Sequence, residues 1–278
     1  MTSLEYTGFF AVGSFFAGMF GSLTGLGGGV ILIPLLTLVF GVDLRYAIGA
    51  SLISVIATSS GAAAAYVREG FTNLRLGMFL EVATTLGAVG GAYLAHWIPV
   101  DTLGIIFGVF LIFSAIFSWK EPAGDLGGED SDSLAKRLRL NSSYPVKGEW
   151  KSYGVKGVPA GFSLMAVAGA LSGMLGVGSG AAKVLAMDKI MRVPFKVSTT
   201  TSNFMIGVTA AASAGIYLSR GYIDPLIAMP VMIGVLSGSM LGAKILMGAK
   251  PRGLRILFAI AILLVGLQMI HDGFKGRF

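Results

Sequence analysis

The sequence predicts an all-α integral membrane protein made of two inverted repeats, each a broken helix or hairpin followed by three transmembrane helices. Three observations predict it. Only 13% of the 278 residues are charged, with a mean hydropathy of +0.79, whereas soluble domains carry about 25% charged residues. Eight apolar runs (9–40, 47–67, 76–100, 103–119, 158–182, 198–218, 226–247 and 254–270) are each long enough to cross a bilayer as a helix. The chain also matches itself at one constant offset, 151 residues, without gaps.

That offset pairs Gly25, Gly27 and Gly29 with Gly176, Gly178 and Gly180, and Gly18 with Gly169. It pairs Ser51 with Ser202, Thr58 with Thr209, Gly87 with Gly238, Gly91 with Gly242 and Phe107 with Phe258. A single offset across this span is the signature of a tandem duplication. The expected organisation is a first transmembrane repeat over 1–118, a polar connector over 119–157 and a second repeat over 158–278. The connector, rich in Gly, Asp, Ser and Lys, reads as flexible or as holding a short amphipathic helix around 134–140.

Charge placement decides how the first run of each unit crosses. If all eight runs span the bilayer, the basic residues fall almost evenly on the two sides. If runs one and five instead turn back at their glycines, only Arg45, Arg220, Lys275 and Arg277 stand opposite the connector. The other 17 of the 21 then share the connector's side. The positive-inside rule favours that arrangement. It makes the number of crossings per unit odd, so the units are inverted, as in many secondary transporters. The expected localisation is the inner (cytoplasmic) membrane, with the connector cytoplasmic and both termini outside. The first run has no basic region ahead of it, so no cleavable signal peptide is expected.

Composition removes several classes of function. There is no cysteine and only His96 and His271 stand for histidine, so thiolate or His-rich metal sites and haem are not expected, and no cofactor is. The net charge of +7 matches cytoplasmic membrane loops, and nucleic acid is not an expected partner. GLGGGV lacks the spacing, strand and distal acid of a dinucleotide fingerprint, and no Gly-Lys-Ser/Thr follows it. An intramembrane enzyme lacks a visible dyad.

The chemistry left lies at the two glycine breaks. Gly25, Gly27, Gly28 and Gly29 interrupt the first run; Gly176, Gly178, Ser179 and Gly180 interrupt the fifth. A break lining a cavity leaves free N–H groups at the start of the next half-helix, and these groups favour an anion. The alternative is that the glycines only let helices pack closely. Ser51, Ser54 and Thr58 share one helical face, and Ser202 and Thr209 repeat that face in the matching segment, with Thr201 and Asn203 beside it. Such uncharged hydroxyl and amide groups suit an anion that must bind and leave, or they bond back to their own helices or bridge between helices. Lys183, three residues after Gly180, either faces the break or snorkels to the interface. Glu81 reads as a shallow carboxylate paired with Arg75, or as a proton-coupling acid.

These breaks, the duplication, the GASLISVIATSSGA helix (49–62) and the run 201–211 resemble the TauE/SafE family of sulfite exporters, over nearly the whole chain apart from the connector. The resemblance implies a secondary transporter exporting sulfite, organosulfonates or related sulfur oxyanions and carboxylates. It places binding at Gly25–Gly29 and Gly176–Gly180, with Ser51, Ser202 and Asn203 nearby. Ser179 replaces a glycine of the first unit and Met205 stands where Ser54 stands, so an asymmetric site is expected. The expected partners are a small anion and membrane lipid, with a homo-oligomer left open. Rival readings are an anion channel using the breaks as a filter and a membrane sensor or scaffold.

Overall fold

The computed structural model describes residues 3–24, 29–68, 70–119, 130–146, 149–246 and 251–278. Helix α1 (Ser3–Thr24) precedes the short α2 (Gly29–Pro34), which runs on through a π-helical turn over Leu35–Val39. Then come α3 (Leu44–Arg68), α4 (Leu74–Trp97) and α5 (Val100–Trp119). The second unit repeats this as α7 (Val158–Leu175), α8 (Gly180–Leu185) with a π turn over Ala186–Ile190, α9 (Phe195–Ser219), α10 (Pro225–Leu246) and α11 (Pro251–Phe274). Both boundaries of α2, α3 and the π turn recur 151 residues later. The duplication therefore holds at the level of secondary structure.

Among the described residues, Leu74–Trp97, Val158–Leu175 and Pro225–Gly242 are long and apolar enough to cross a membrane, and five shorter apolar helices accompany them. The all-α membrane class stands. The α2 and α8 arms, with their π turns, measure only roughly 16 Å at the helical rise, about half of a bilayer core. Each folds back along the helix before it. The Phe10 ring in α1 packs on Phe40, just past the first π turn, with ring centroids 5.2 Å apart. At the other arm, Gly157 at the start of α7 lies against Ile190 at the end of the second π turn.

Helix α7 packs along α4, and its counterpart α1 along α10. Small residues make both seams. A Cβ on Gly91 would strike the Ala170 carbonyl and one on Gly173 the Ala88 carbonyl, while Gly238 lies as close to the Phe15 carbonyl. Backbones meet where a side chain would keep them apart, the usual solution in a membrane, where lipid is as apolar as leucine. α3 packs on α9 and runs antiparallel to it: Gly49 near the start of α3 touches Tyr222 beyond α9, and Asn73 beyond α3 donates its amide to Thr201 near the start of α9.

The connector departs from its sequence reading. A short helix, α6 (Ser133–Arg137), lies within the segment expected to hold one. It is followed by a two-stranded antiparallel hairpin, β1 (Ser142–Val146) with β2 (Glu149–Tyr153). Ala135, Leu140, Tyr144, Tyr153 and Val155 are buried in one cluster with Leu76, Leu80, Met165, Met187 and Met191. The described part of the connector, residues 130–146 and 149–157, is thus a folded cap docked on one end of the bundle. Its one-sided apolar residues find a partner surface there that no local pattern reveals.

Candidate functional site

Helix α7 stops because the next residues adopt left-handed backbone: Gly176 (φ +67), Gly178 (φ +72) and Ser179 (φ +42). Left-handed geometry cannot continue a right-handed helix and is cheap only for glycine. The first break reaches this second one. A Cβ on Gly29, the first residue of α2, would meet Ser51 Oγ at 2.6 Å, with Gly176 O and Val177 Cα both at 3.3 Å. Ser51, fully buried in α3, donates its hydroxyl to the Gly176 carbonyl at 2.9 Å. In α9, Ser202 donates to the Gly180 carbonyl at 3.3 Å. Gly25, Gly27 and Gly28 lie outside the described residues.

Most other candidate residues make their hydrogen bonds away from the break. Ser54 donates to the Ala50 carbonyl at 2.9 Å and Thr58 to Ser54 at 3.0 Å, both within α3, which is the back-bonding habit of these residues in helices. Ser179 donates to the Ala168 carbonyl at 2.6 Å. The Thr201 hydroxyl accepts the Asn73 amide at 3.1 Å, under the connector cap. Asn203 is half-buried on α9.

Lys183 is 0% exposed, so it does not snorkel. Its ammonium donates to Thr209 Oγ1 at 2.6 Å, and Thr209 donates to Glu81 Oε1 at 2.7 Å. Thr85 adds a second hydroxyl to the same oxygen at 3.0 Å, while Glu81 Oε2 is buried without a hydrogen-bond partner. The expected Glu81–Arg75 pair does not form. Arg75 donates to the Arg139 carbonyl at 3.0 Å, and the cap covers the start of α4, so Glu81 is buried rather than interfacial.

Thr209, which bridges the two charges, belongs to the hydroxyl face that the sequence repeats in the second unit, though nothing in the sequence ties it to Lys183 or Glu81. At the repeat offset Lys183 corresponds to Leu32, and Glu81 to Met232. The ionic cluster therefore has no copy in the other half. It joins one charge from each unit in low dielectric, where an ammonium and a carboxylate must compensate each other.

The family model for the sulfite exporter TauE/SafE matches residues 10–269. A probable membrane transporter protein of Bacillus subtilis, YunE, is 25% identical over 264 residues, covering 92% of this chain and 94% of its own. A second from that organism, YdhB, is 27% identical over 231 residues, 83% and 86% of the two chains. A probable membrane transporter protein of Methanocaldococcus jannaschii is 26% identical over 273 residues, 92% of each. No solved structure matches.

Proposed function

This chain belongs to the sulfite exporter TauE/SafE family, and we propose that it is a secondary carrier exporting sulfite, an organosulfonate or a related small oxyanion by alternating access. It is a multi-pass membrane transporter by family and by its apolar helices. In this reading it sits in the cytoplasmic membrane with the connector cap inside. The two units, inverted relative to one another, rock about the crossing of α3 and α9.

One observation carries the reading: a fully buried Lys183, three residues past a left-handed break that the other unit's break touches. The ammonium supplies the charge that uncharged hydroxyls lack. An anion bound here adds a negative charge beside Lys183. With Glu81 ionised, the buried cluster would then hold a net negative charge, at a cost of several kcal/mol. Protonation of Glu81 through Thr209 and Thr85 removes that cost, so a proton travels with the anion.

Reconstituted protein tests this. Sulfite flux should accelerate under a pH gradient, and Glu81→Gln should abolish the acceleration while keeping sulfite–sulfite exchange. Unchanged gradient dependence in Glu81→Gln would remove the acid from the mechanism. Wild-type rates in Lys183→Met would remove the binding site.

A further inference from the structure

At the end of the bundle opposite the cap, Arg45 at the start of α3 and Arg220 just past α9 line one narrow crevice with His96, Tyr217 and Tyr222. Its walls stand close together, and it opens at the surface. No Asp or Glu lines it, and neither guanidinium makes an ion pair with a described carboxylate. Arg45 Nε and Arg220 Nη1 are buried without a hydrogen-bond partner. The nearby Asp43 and Asp224 carboxylates accept the backbone amides of Arg45 at 2.8 Å and Leu226 at 2.9 Å.

Aromatic rings and carbonyls hold the two cations in place. Arg45 lies 5.5 Å from the Tyr222 ring centroid and donates to Tyr222 Oη at 3.3 Å and the Ile98 carbonyl at 3.1 Å. Arg220 lies 5.0 Å from the Tyr93 ring centroid. Tyr217 ties the crevice to the break, because its hydroxyl donates to the Met174 carbonyl at 3.2 Å, two residues before Gly176. Ile48, one turn after Arg45 on α3, touches Gly176.

The other end of the duplication supplies a comparison. Arg45 and Tyr222 correspond to Lys196 and Phe71, which also stack, at 3.5 Å. There the cap's Trp150 packs on Gly70, and the counterpart of Arg220 is an acid, Glu69. At these corresponding positions the open end carries two cations, the capped end one cation and one acid.

We infer that the Arg45–Arg220 crevice is a second anion site, a staging site for a small sulfur oxyanion on its way between the Gly176 break and the space beyond the membrane end opposite the cap. Two guanidinium groups match the oxygens of an SO₃ group through charge-assisted hydrogen bonds. The inference rests on the carrier reading for its place on the path, but not for its ligand.

The test uses radiolabelled sulfite, equilibrium binding to the purified full chain, and uptake by proteoliposomes measured from each side. Lys183→Met should still bind about one sulfite per chain. Adding Arg45→Gln and Arg220→Gln should weaken that binding roughly tenfold or more, and the paired Lys substitutions should restore part of it. In otherwise wild-type protein, the double Gln variant should raise KM from the crevice side only. Loss of all binding in Lys183→Met, or full binding in the triple variant, overturns the site. A transporting protein whose KM is unmoved by the double Gln change overturns it and leaves the carrier standing. Crevice binding without any transport by the wild type overturns the carrier alone.

Discussion

The hydroxyl of Ser51 donates to the carbonyl of Gly176 at 2.9 Å, so a side chain of one repeat closes the helix break of the other. Removing it leaves a buried carbonyl unpaired, and Ser51→Ala should cost about 1–2 kcal/mol in the thermal melt. The same oxygen lies 2.6 Å from where a Gly29 Cβ would stand. Gly29→Ala should therefore be less damaging in the Ser51→Ala background than alone, a non-additivity that a double-mutant cycle measures. Strict additivity would mean that the two breaks do not share this contact.

Lys183 and Glu81 should behave as one unit. Lys183→Met leaves a buried carboxylate and Glu81→Gln a buried ammonium; each should destabilise by about 3–5 kcal/mol. The double variant, neutral throughout, should melt above either single one yet transport poorly. Unfolding in denaturant, followed by circular dichroism, reads the order.

Much of this was legible beforehand, and its limits have a physical cause. The glycine breaks and the arms folding back follow from local pattern and from the repeat, which the bounds of α3 (Leu44–Arg68) and α9 (Phe195–Ser219) reproduce. The depth of Glu81 was not legible, because it depends on a cap formed by a segment whose charges read as linker. Tyr144 and Tyr153 are the buried residues of its two strands, and Pro145 between them argues against a strand in isolation. The Lys183–Thr209–Glu81 connection joins residues from three helices and has no local signal at all.

Seam glycines should separate sharply from free ones. Gly91→Ala and Gly238→Ala, at equivalent seams of the two units, place a methyl on a neighbouring carbonyl and should each cost about 1–3 kcal/mol or more. In contrast, Gly90→Ala has no heavy atom within 4 Å of the new carbon and should gain roughly 0.5–1 kcal/mol from helix propensity. Melting temperatures of the three purified variants decide this.

The cap should loosen in alkali. Burial pushes the Tyr153 phenol up to about 12 from its usual value near 10, while its oxygen accepts from Asn73 Nδ2 at 2.8 Å. Folding therefore favours the protonated phenol. That contribution is complete below pH 10 and is lost as pH rises from about 10 through 12. Trp150 fluorescence, reporting cap docking, should change across that window, and Tyr153→Phe should remove this component at a cost of about 1 kcal/mol.

Counterflow in proteoliposomes tests the central claim most directly. With sulfite inside, uptake of external radiolabelled sulfite by the wild type should saturate and be stimulated from the opposite side. Gly178→Leu, which crowds Ile206 and Val55 at the break, should abolish both effects in a normally inserted protein. Linear uptake without stimulation, or wild-type counterflow in Gly178→Leu, would contradict an alternating-access carrier that binds its anion at the break.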